Sequence, residues 1–461
     1  MPFSPQFAEK RFGYGLSPLV PPVASVEAML AGLQGPDLMA QTFPIEDFAT
    51  FRLRMLDAER ARQNAKKVGR KSPEGVKFTK QARIANKFAR EAKADWFMQS
   101  LLRRTRTPQA FRERLVAFWG DHFTAQGKQG VIRRATSPYL EDAIRPNIAG
   151  RFADLLIAAV THPLMLHYLD QAYSIGPGSA AVKNRKGQSG LNENLAREVI
   201  ELHTLGVGGP YTQADVRQLA ELFTGLSFKA QEGFVFRSDF VEPGEETVLG
   251  RTYGPAPGMG PIHQVLEDLA VHPATAEHIA RKLAVHFVSD TPDPALVEHL
   301  RAAYAASAGD LGEVYAALLD HPAAWQTDRL NFKQPEEFVS SALRALAAGP
   351  DELGALDEKQ VIGFFYRPMR LMGQLYQQPG GPDGWAEEDE DWLTPQGLAA
   401  RLEWSMQVPR KLFDSLPDPR SFVQQALGDD APSSVIFAAE AAETRHEAIG
   451  LVLSSPAFQR R

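Results

Sequence analysis

The sequence contains no cysteine among its 461 residues. This absence excludes disulfide bonds, thiolate ligands for a metal ion and a cysteine nucleophile. The chain also lacks any run that approaches the ~20 consecutive apolar residues of a membrane-spanning helix. Apolar residues nevertheless make up 44% of the chain, which is ample for a buried core. We therefore expect a folded globular protein without crosslinks and without a membrane span.

Several signatures of common enzyme classes are missing too. The chain has no Gly-x-Ser-x-Gly, no P-loop, no Gly-x-Gly-x-x-Gly fingerprint and no His-Glu-x-x-His. Each of these motifs places a nucleophile, a phosphate group or a zinc ion by a known geometry. Any catalytic function must therefore rest on a less familiar arrangement of residues.

The N-terminal segment gives no sign of a targeting sequence. Residues Met1 to Lys10 contain no apolar stretch of the kind found in signal peptides, and Arg11 does not belong to a twin-arginine pair. The absence of cysteine does not decide the compartment, because a protein without disulfides can work in any of them. The sequence as written predicts a cytoplasmic protein.

The net charge of −6 conceals a strongly basic segment. Positions 52–114 contain 19 Lys or Arg residues against 6 Asp or Glu, a balance suited to nucleic acid or an anionic surface. Its apolar residues, however, recur every four positions, which predicts the buried stripe of an amphipathic helix at Ile84, Phe88, Ala92 and Trp96. We therefore expect a solvated helical hairpin. An anionic partner is the alternative, and specific nucleic-acid binding is not expected.

Hydrophobic periodicity predicts helices along almost the whole chain. The basic segment is expected to form two of them, 48–67 and 78–104, because turn-forming residues at 69–75 interrupt its pattern. Alternating apolar and polar residues between 226 and 253 predict a small β-hairpin or ribbon instead.

These elements together predict the fold class. We expect an all-α protein with a compact, multi-helical and bundle-like fold, formed by a single domain over 1–461. The basic helical hairpin at 46–106 should protrude from it, and a minor β-ribbon should lie near 227–253. No linker rich in Gly, Ser or Pro divides the chain, which favours one domain over several.

Three apolar helices are predicted to end at a His-Pro pair, at His162, His272 and His321. Proline disfavours α geometry at the residue before it and suits the first position of a following helix. A histidine at a helix C-terminus interacts favourably with the last carbonyl groups. We interpret these three histidines as structural residues at helix boundaries.

The densest group of chemically capable side chains lies between Gly190 and Val216. The helix predicted over 192–204, here called the signature helix, carries Asn192, Glu193, Asn194, Arg197, Glu198, Glu201 and His203. The run closely resembles the hallmark of a bacterial family, domain of unknown function 1800. That hallmark reads nearly as Asn-Glu-Asn-x-Ala-Arg-Glu-x-x-Glu-Leu-His-Thr-Leu-Gly-Val, followed by Gly-Gly-x-Tyr-Thr-Gln-x-Asp-Val.

The resemblance covers most of the chain. Further blocks similar to those of the family lie at 11–17, 119–123 (Trp-Gly-Asp-His-Phe), 162–170, 284–288 (Ala-Val-His-Phe-Val) and 381–385 (Gly-Pro-Asp-Gly-Trp). One block departs from the pattern. Relatives often carry His-Asp before a Lys-Thr-x-x-Gly turn, where this chain has Val-Glu-Pro-Gly-Glu-Glu-Thr at 241–247. A role of that His-Asp pair in relatives is therefore not expected here.

The resemblance indicates where relatives act and which proteins they are encoded beside, but it implies no activity. Relatives are often exported. They are also often encoded beside proteins of domain of unknown function 1501, which resemble sulfatases and alkaline phosphatases. The resemblance therefore implies an alternative to an enzyme, namely a non-catalytic accessory or binding protein that works with such a partner.

The predicted faces of the signature helix limit what it could bind. At about 100° per residue, the apolar face contains His203, and the other side carries Asn194, Arg197, Glu198 and Glu201. Glu198 and His203 are then roughly 140° apart, unlike the paired histidines of a zinc-protease helix. A metal would instead take oxygen ligands from Asn194 and Glu198, which favour Ca²⁺, Mg²⁺ or Mn²⁺ over Zn²⁺.

The same helix also has a purely structural interpretation. Arg197 lies four residues from both Glu193 and Glu201, so two ion pairs are expected along the helix. Asn192 is suited to cap the N-terminus, and Gly206 is suited to close the C-terminus. Both interpretations stay open on the sequence.

A second candidate lies at the end of the helix predicted over 108–123. Trp119, Asp121 and His122 stand within four residues there, and the ordinary pKa of histidine suits a general base or a ligand. These residues faintly resemble a sequence stretch of animal-type haem peroxidases. The chain offers no convincing proximal histidine, so haem is not expected. A buried packing role is the alternative for Trp119 and His122.

We predict that these two segments meet in one polar site centred on 192–215. The expected catalytic residues are Glu198, Glu201 and His122, and the expected ligand-binding residues are Asn194, Arg197, Tyr211 and Trp119. The cofactor stays unknown, with a divalent metal at Asn194 and Glu198 as one option. The function predicted is a hydrolase or redox enzyme, and the accessory protein is the alternative.

Overall fold

Helices dominate the computed structural model, which describes residues 3–184, 190–328 and 331–461. The α-helices α1 to α27 cover, in chain order, Pro5–Arg11, Val26–Gln34, Leu38–Thr42, Phe48–Lys67, Pro73–Arg106, Ala110–His122, Thr136–Tyr139, Phe152–Val160, Pro163–Tyr168, Ala180–Asn184, Asn194–Glu198, Gln213–Leu222, Met259–Ala270, Pro273–Phe287, Pro294–Ala306, Leu311–Asp320, Pro335–Ala345, Pro350–Leu353, Glu358–Val361, Arg367–Leu371, Asp389–Trp392, Pro395–Gln407, Pro409–Leu412, Pro419–Leu427, Ser433–Ala441, Arg445–Ser454 and Pro456–Gln459. Within the described ranges, none is long and apolar enough to cross a lipid bilayer.

Other helical turns extend or connect these helices. The 3-10 helices are Val131–Arg134, Arg145–Asn147, Gln171–Tyr173, Ser238–Phe240, Pro322–Trp325 and Gly428–Asp430. The π-helices are Leu140–Ile144, Val199–Thr204 and Ile362–Tyr366. Such π segments are rare in proteins and often occur at functional sites.

The strands form two antiparallel hairpins, β1–β2 and β3–β4. The strands are Leu226–Lys229, Gly233–Phe236, Glu246–Val248 and Arg251–Tyr253. In the first hairpin Leu226 pairs with Phe236, and in the second Glu246 pairs with Tyr253. The predicted all-α fold with a minor β-ribbon near 227–253 is therefore confirmed.

The basic hairpin is formed by α4 and α5, as predicted, but its buried face differs from the expected one. Ile84 is 40% exposed and Phe88 is 54% exposed, whereas Ala82, Ala89 and Trp96 are buried. The expectation that Ile84 and Phe88 belong to the buried stripe was wrong. Alanines of both helices are buried where α4 and α5 pack against each other, and small side chains allow a close approach.

The His-Pro pairs begin helices as well as ending them. Nδ1 of His162 accepts a hydrogen bond from the backbone N–H of Leu164 at 3.1 Å. His272 and His321 accept the equivalent bond at 3.1 Å and 3.2 Å from the N–H two residues further on. The histidines are structural, but they cap the following helix. Because Nδ1 accepts only when it carries no proton, the neutral ring makes this cap.

The signature helix begins at Asn194 and changes from α to π geometry at Val199. The hydroxyl of Thr204 donates to the carbonyl oxygen of Val199 at 2.7 Å, five residues earlier. Since π turns contain more residues than α turns, a projection at 100° per residue does not hold for 199–204. Ile200 and His203 are still fully buried, in agreement with the predicted apolar face.

Two large hydrophobic clusters form most of the core of the described residues, with a third, small one that contains Ile175 and Phe240. The larger one is built from buried residues between 7 and 325, and the second mainly from residues between 338 and 458. Helix α5 contributes to both, with Trp96 in the larger cluster and Phe97 in the second. The single domain over 1–461 stays a prediction.

Candidate active site

A polar cavity is lined by residues of both large hydrophobic clusters, among them Phe118 and Tyr376. It contains about 1150 Å³ of atom-free space, part of it open to solvent. Its wall combines α5, α6, the start of α17 and the segment 374–387. Three of the blocks that resemble the family pattern contribute to it, through Asp121, His286 and Trp385. Distant parts of the sequence therefore converge on one space.

Asp121 lies near the C-terminal end of α6, and the loop 381–387 holds its carboxyl group. Both carboxyl oxygens lie 3.1 Å from the backbone N–H of Trp385, which donates to them. The backbone of Gly384 has a φ of +82°, and a Cβ there would lie 2.6 Å from Oδ2 of Asp121. A glycine is therefore needed for the loop to come so close to this carboxyl group.

Glu387 begins a chain of charged and polar groups that leads from the cavity into the protein. Nδ1 of His286 donates to its carboxylate at 2.9 Å and 3.0 Å. Nη2 of Arg114 donates to Nε2 of the same ring at 2.9 Å, and Nη1 of Arg114 pairs with Glu337 at 2.8 Å. Because arginine can only donate, His286 is a neutral ring that carries its proton on Nδ1.

The surroundings of Asp121 favour its protonated form. Burial raises the pKa of Asp121 to about 8, and the negative charges of Glu387 and Asp383 act in the same direction. The positive charge of Lys282 opposes them without cancelling the effect. At neutral pH most Asp121 side chains are therefore uncharged and retain a proton.

The surroundings of Glu387 favour its ionised form. Burial raises the pKa of Glu387, but the electrostatic interaction and hydrogen bond with His286, followed by the charges of Arg461 and Lys282, keep it below its ordinary value. Burial lowers the pKa of His286 to about 4, which agrees with a neutral ring. Asp121 is thus a carboxylic acid and Glu387 a carboxylate in the same cavity wall.

The other charges of the cavity wall are neutralised in pairs. These pairs are Arg103–Glu141, Arg104–Glu336, Arg114–Glu337 and Arg145–Glu113. Amide and hydroxyl groups supply further hydrogen-bonding atoms, from Gln334, Gln374, Gln377 and Ser137. A neutral, polar molecule would match this lining better than a strongly charged one.

The signature helix places its predicted site residues at the surface. Arg197 pairs with Glu201 at 3.2 Å and with Glu193 at 3.3 Å, as the spacing of four residues predicts. The Arg197 side chain is 37% exposed, so water screens both pairs. Asn194 is exposed, and its N–H donates to Oδ1 of Asn192 at 2.9 Å. The structural interpretation of the helix therefore accounts for these residues.

Glu198 and Tyr211 are less exposed to water than Asn194. Burial raises the pKa of Glu198, and the charges of Glu201 and Asp383 raise it further. Burial also raises the pKa of Tyr211, with a smaller contribution from Glu201. Asp383 acts on both Glu198 and Asp121, so the acidic side of the signature helix and the cavity lie within electrostatic range of one loop.

Trp119 and His122 belong to the aromatic core. Trp119 is fully buried, and its Nε1 donates to the hydroxyl of Tyr315 at 2.6 Å. His122 is 2% exposed, and its Nε2 lies 3.3 Å from the carbonyl oxygen of His203. Within the described ranges no hydrogen bond, ion pair or ring contact joins His122 to Glu198. Their shared cleft therefore stays a prediction.

His122 belongs to a cluster of three histidines that the sequence did not reveal. The ring centroids of His203 and His278 each lie 6.1 Å from that of His122. Burial lowers the pKa of all three rings, to about 3 for His203. Among the residues that the structure describes, Nδ1 of His122 and both ring nitrogens of His203 have no hydrogen-bond partner. The cluster is uncharged at neutral pH.

The divalent metal considered as one option has no matching set of ligands among the described residues. Among the residues that the structure describes, no three His, Asp or Glu side chains are grouped so that they could hold a metal ion. Asn194 and Glu198 offer only two oxygen ligands on one helix face, fewer than Ca²⁺ or Mg²⁺ requires. A divalent metal at these two residues gains no support from the structure.

The sequence did not single out His286, Glu387 or Asp383 as candidate site residues. His286 is the central residue of the block at 284–288, and Glu387 follows the block at 381–385 by two positions. These two blocks were the sequence signal that could have led to both residues. Their polar residues lie more than 150 positions from Asp121 along the chain, and no periodicity links residues that only the fold brings together.

Comparisons with known proteins agree with the family resemblance. No curated protein and no solved structure matches this chain. The family model described as "Protein of unknown function (DUF1800)" matches residues 8–460, which include every block that borders the cavity. The chain belongs to this family.

Proposed function

We propose that this protein is a hydrolase that cleaves a glycosidic bond by acid–base catalysis in the cavity around Asp121 and Glu387. The observation that carries the proposal is the pair itself, a protonated carboxyl group and an ionised one that line the same polar cavity. Two carboxyl groups with pKa values pushed apart are the usual catalytic pair of glycoside hydrolases.

In this mechanism Asp121 is the general acid. Its proton passes to the glycosidic oxygen while the bond between that oxygen and the anomeric carbon breaks. The Glu387 carboxylate either attacks the anomeric carbon or takes a proton from the attacking water molecule. The net reaction adds one water molecule across the bond. His286 orients Glu387 through its Nδ1–H and does not touch the substrate.

The cavity lining supports a neutral, hydroxyl-rich substrate. Its arginines are all engaged with carboxylates, so none is free to bind a phosphate or sulfate group. Trp385 also lines the cavity, and an indole ring is a surface on which a sugar ring can stack. The glutamine side chains offer donors and acceptors for hydroxyl groups.

The acidic side of the signature helix has a second role in this proposal. Glu198 and Glu201 bind the part of the substrate that extends past Asp383, and Arg197 holds Glu201 in place. Replacement of Glu198 by Gln should then raise KM more than it lowers kcat, because the contact is the same in the ground state and in the transition state.

A panel of aryl glycosides tests the proposal. Glu387→Gln should lower kcat/KM by about 10²–10⁴-fold, and the control Glu388→Gln, at an exposed neighbour, should have little effect. Asp121→Asn should slow poor leaving groups more than activated ones, because only the former need protonation. Equal rates for wild type and Glu387→Gln would contradict the proposal. If the wild type cleaves no glycoside, the accessory role implied by the relatives becomes the better explanation.

A further inference from the structure

A second cavity lies apart from the catalytic one, between the two β-hairpins and the segment 176–183. It contains about 950 Å³ of atom-free space, part of it open to solvent. Three carboxyl groups line it, those of Glu221, Glu242 and Glu246. None of these residues belongs to the hydrolytic site, so a binding function of this cavity does not depend on the proposed glycosidase activity.

Glu246 is the unusual member of this group. The residue is 5% exposed, on the short strand β3, and its carboxyl group lines the cavity. No other described residue donates a hydrogen bond to this carboxyl group or forms an ion pair with it; the contact present is with its own backbone. Because the cavity is partly open to solvent, a cation that enters it can reach this carboxyl group.

The two neighbouring carboxylates increase the negative charge of the cavity, and neither neutralises Glu246. Glu221 accepts from Arg217 at 3.1 Å and from Gln218 at 2.8 Å, on its own helix. Glu242 accepts from the backbone N–H of Gly178 at 2.7 Å. Burial, with the charges of Glu221 and Glu242, raises the pKa of Glu246 to about 7.

The rest of the wall is largely apolar, although Lys183, Ser179 and Ser238 also line the cavity. It includes Leu222, Phe236, Pro243, Pro255, Pro257 and Pro261. Such a wall suits the methylene groups of an alkyl chain, while the carboxylates at one side suit a positive charge at its end. A bare metal ion would gain nothing from these prolines and carbons.

We propose that this cavity binds an organic cation, an alkylammonium or guanidinium group that pairs with Glu246 while its alkyl chain packs against the proline-lined wall. The positive charge supplies the partner that Glu246 lacks, and Glu221 and Glu242 add long-range attraction. The same chemistry occurs in free diamines and in the Lys and Arg side chains of a peptide.

Calorimetric titration of the full chain tests the proposal. Agmatine and 1,5-diaminopentane represent the free cations, a Gly-Ser peptide with one central Arg represents the peptide source, and 1-pentanol is the neutral control. Binding of either cationic probe at pH 8 supports the proposal and identifies the source. Affinity should fall as the pH is lowered through about 7, because protonation removes the charge of Glu246.

Glu246→Gln and Glu245→Gln form a matched pair of variants, since both remove one carboxylate and Glu245 is exposed. Glu246→Gln should weaken binding by at least about tenfold, and Glu245→Gln should weaken it far less. Loss of a buried, unpaired carboxylate should not unfold the protein, so the melting temperature of Glu246→Gln should equal or exceed that of the wild type. Three results would overturn the proposal: no binding of any cation up to about 10 mM, equal losses in the two variants, or equal binding of 1-pentanol.

Discussion

At the residue scale, the burial of Asp121 lowers the stability of the folded protein at neutral pH. Its pKa is about 8 in the folded protein and near 3.9 in an unfolded chain. A raised pKa of a carboxyl group favours folding only at low pH, and this benefit is lost as the pH rises from about 4 towards 8. At pH 7 the native state therefore binds a proton that the unfolded chain does not.

Asp121→Asn should make the protein more stable at neutral pH, by about 1–3 kcal/mol, because an amide resembles the protonated acid and needs no proton. Urea denaturation at pH 7.5 and pH 4.5 measures this, and the gain should shrink at the lower pH. Asp414→Asn, at an exposed position, serves as control. A variant less stable than the wild type at both pH values would show that Asp121 is ionised in the native state.

Replacement of Arg197 is expected to have only a small effect on stability, although the residue lies in the signature helix. Its two ion pairs are exposed and separated by one helical turn each, so each contributes about 0.3–0.5 kcal/mol. Arg197→Ala should therefore lower the free energy of unfolding by no more than about 1 kcal/mol. Chemical denaturation measures this. A loss of about 3 kcal/mol or more would mean that the pairs are buried in solution.

At the scale of the helix, the His-Pro pairs provide a test of capping. His272 is partly exposed, and its Nδ1 accepts from the N–H of Ala274, in the first turn of α14. Asparagine is a good N-cap and alanine is not. His272→Asn should therefore be more stable than His272→Ala by about 1 kcal/mol. Thermal melts of the two variants measure the difference, and equal melting temperatures would rule out a capping contribution.

The helices also show which structural information is local. The hydrophobic period and the turn-forming residues located α4, α5 and the β-hairpins within a few positions, because both are properties of the segment itself. The period did not identify the buried face of α5. Ile84 and Phe88 had the larger apolar surface, yet alanines occupy the contact with α4, since the distance between two packed helices depends on both partners. The π geometry at 199–204 was not foreseen either.

At the scale of the whole molecule, the buried titratable groups determine how stability depends on pH. The neutral rings of His203 and His286 have pKa values of about 3 and about 4 in the folded state, against about 6.5 when unfolded. For histidines with lowered pKa values, stability is lost as the pH falls below about 6.5. Asp121 and Glu246 act in the opposite sense at the same pH, since their folded-state pKa values are raised.

The balance predicts a steep acid transition. As the pH falls towards about 4.5, the stability contributed by protonated Asp121 and Glu246 partly offsets the stability lost through the histidines. Below about pH 4.5 that gain is exhausted, and protonation of Glu337, whose pKa is about 2 beside Arg114 and Arg461, adds to the loss. Denaturation curves from pH 3.5 to pH 8 should show a gentle slope that becomes steep near pH 4.5. The slope should be smaller in His203→Asn, and an unchanged slope would mean that His203 does not titrate on unfolding.

The sequence by itself determined the family, the helical class, the small β-ribbon and the ion pairs of Arg197, because each depends on residues within a few helical turns. It also located the two segments richest in polar side chains. Only the tertiary structure decided that Asp121 and Glu387 line one cavity, that His122 faces the aromatic core, and that no other described residue pairs with the carboxyl group of Glu246. The physical reason is that burial and long-range electrostatics set these pKa values, and both depend on neighbours that are distant in the chain.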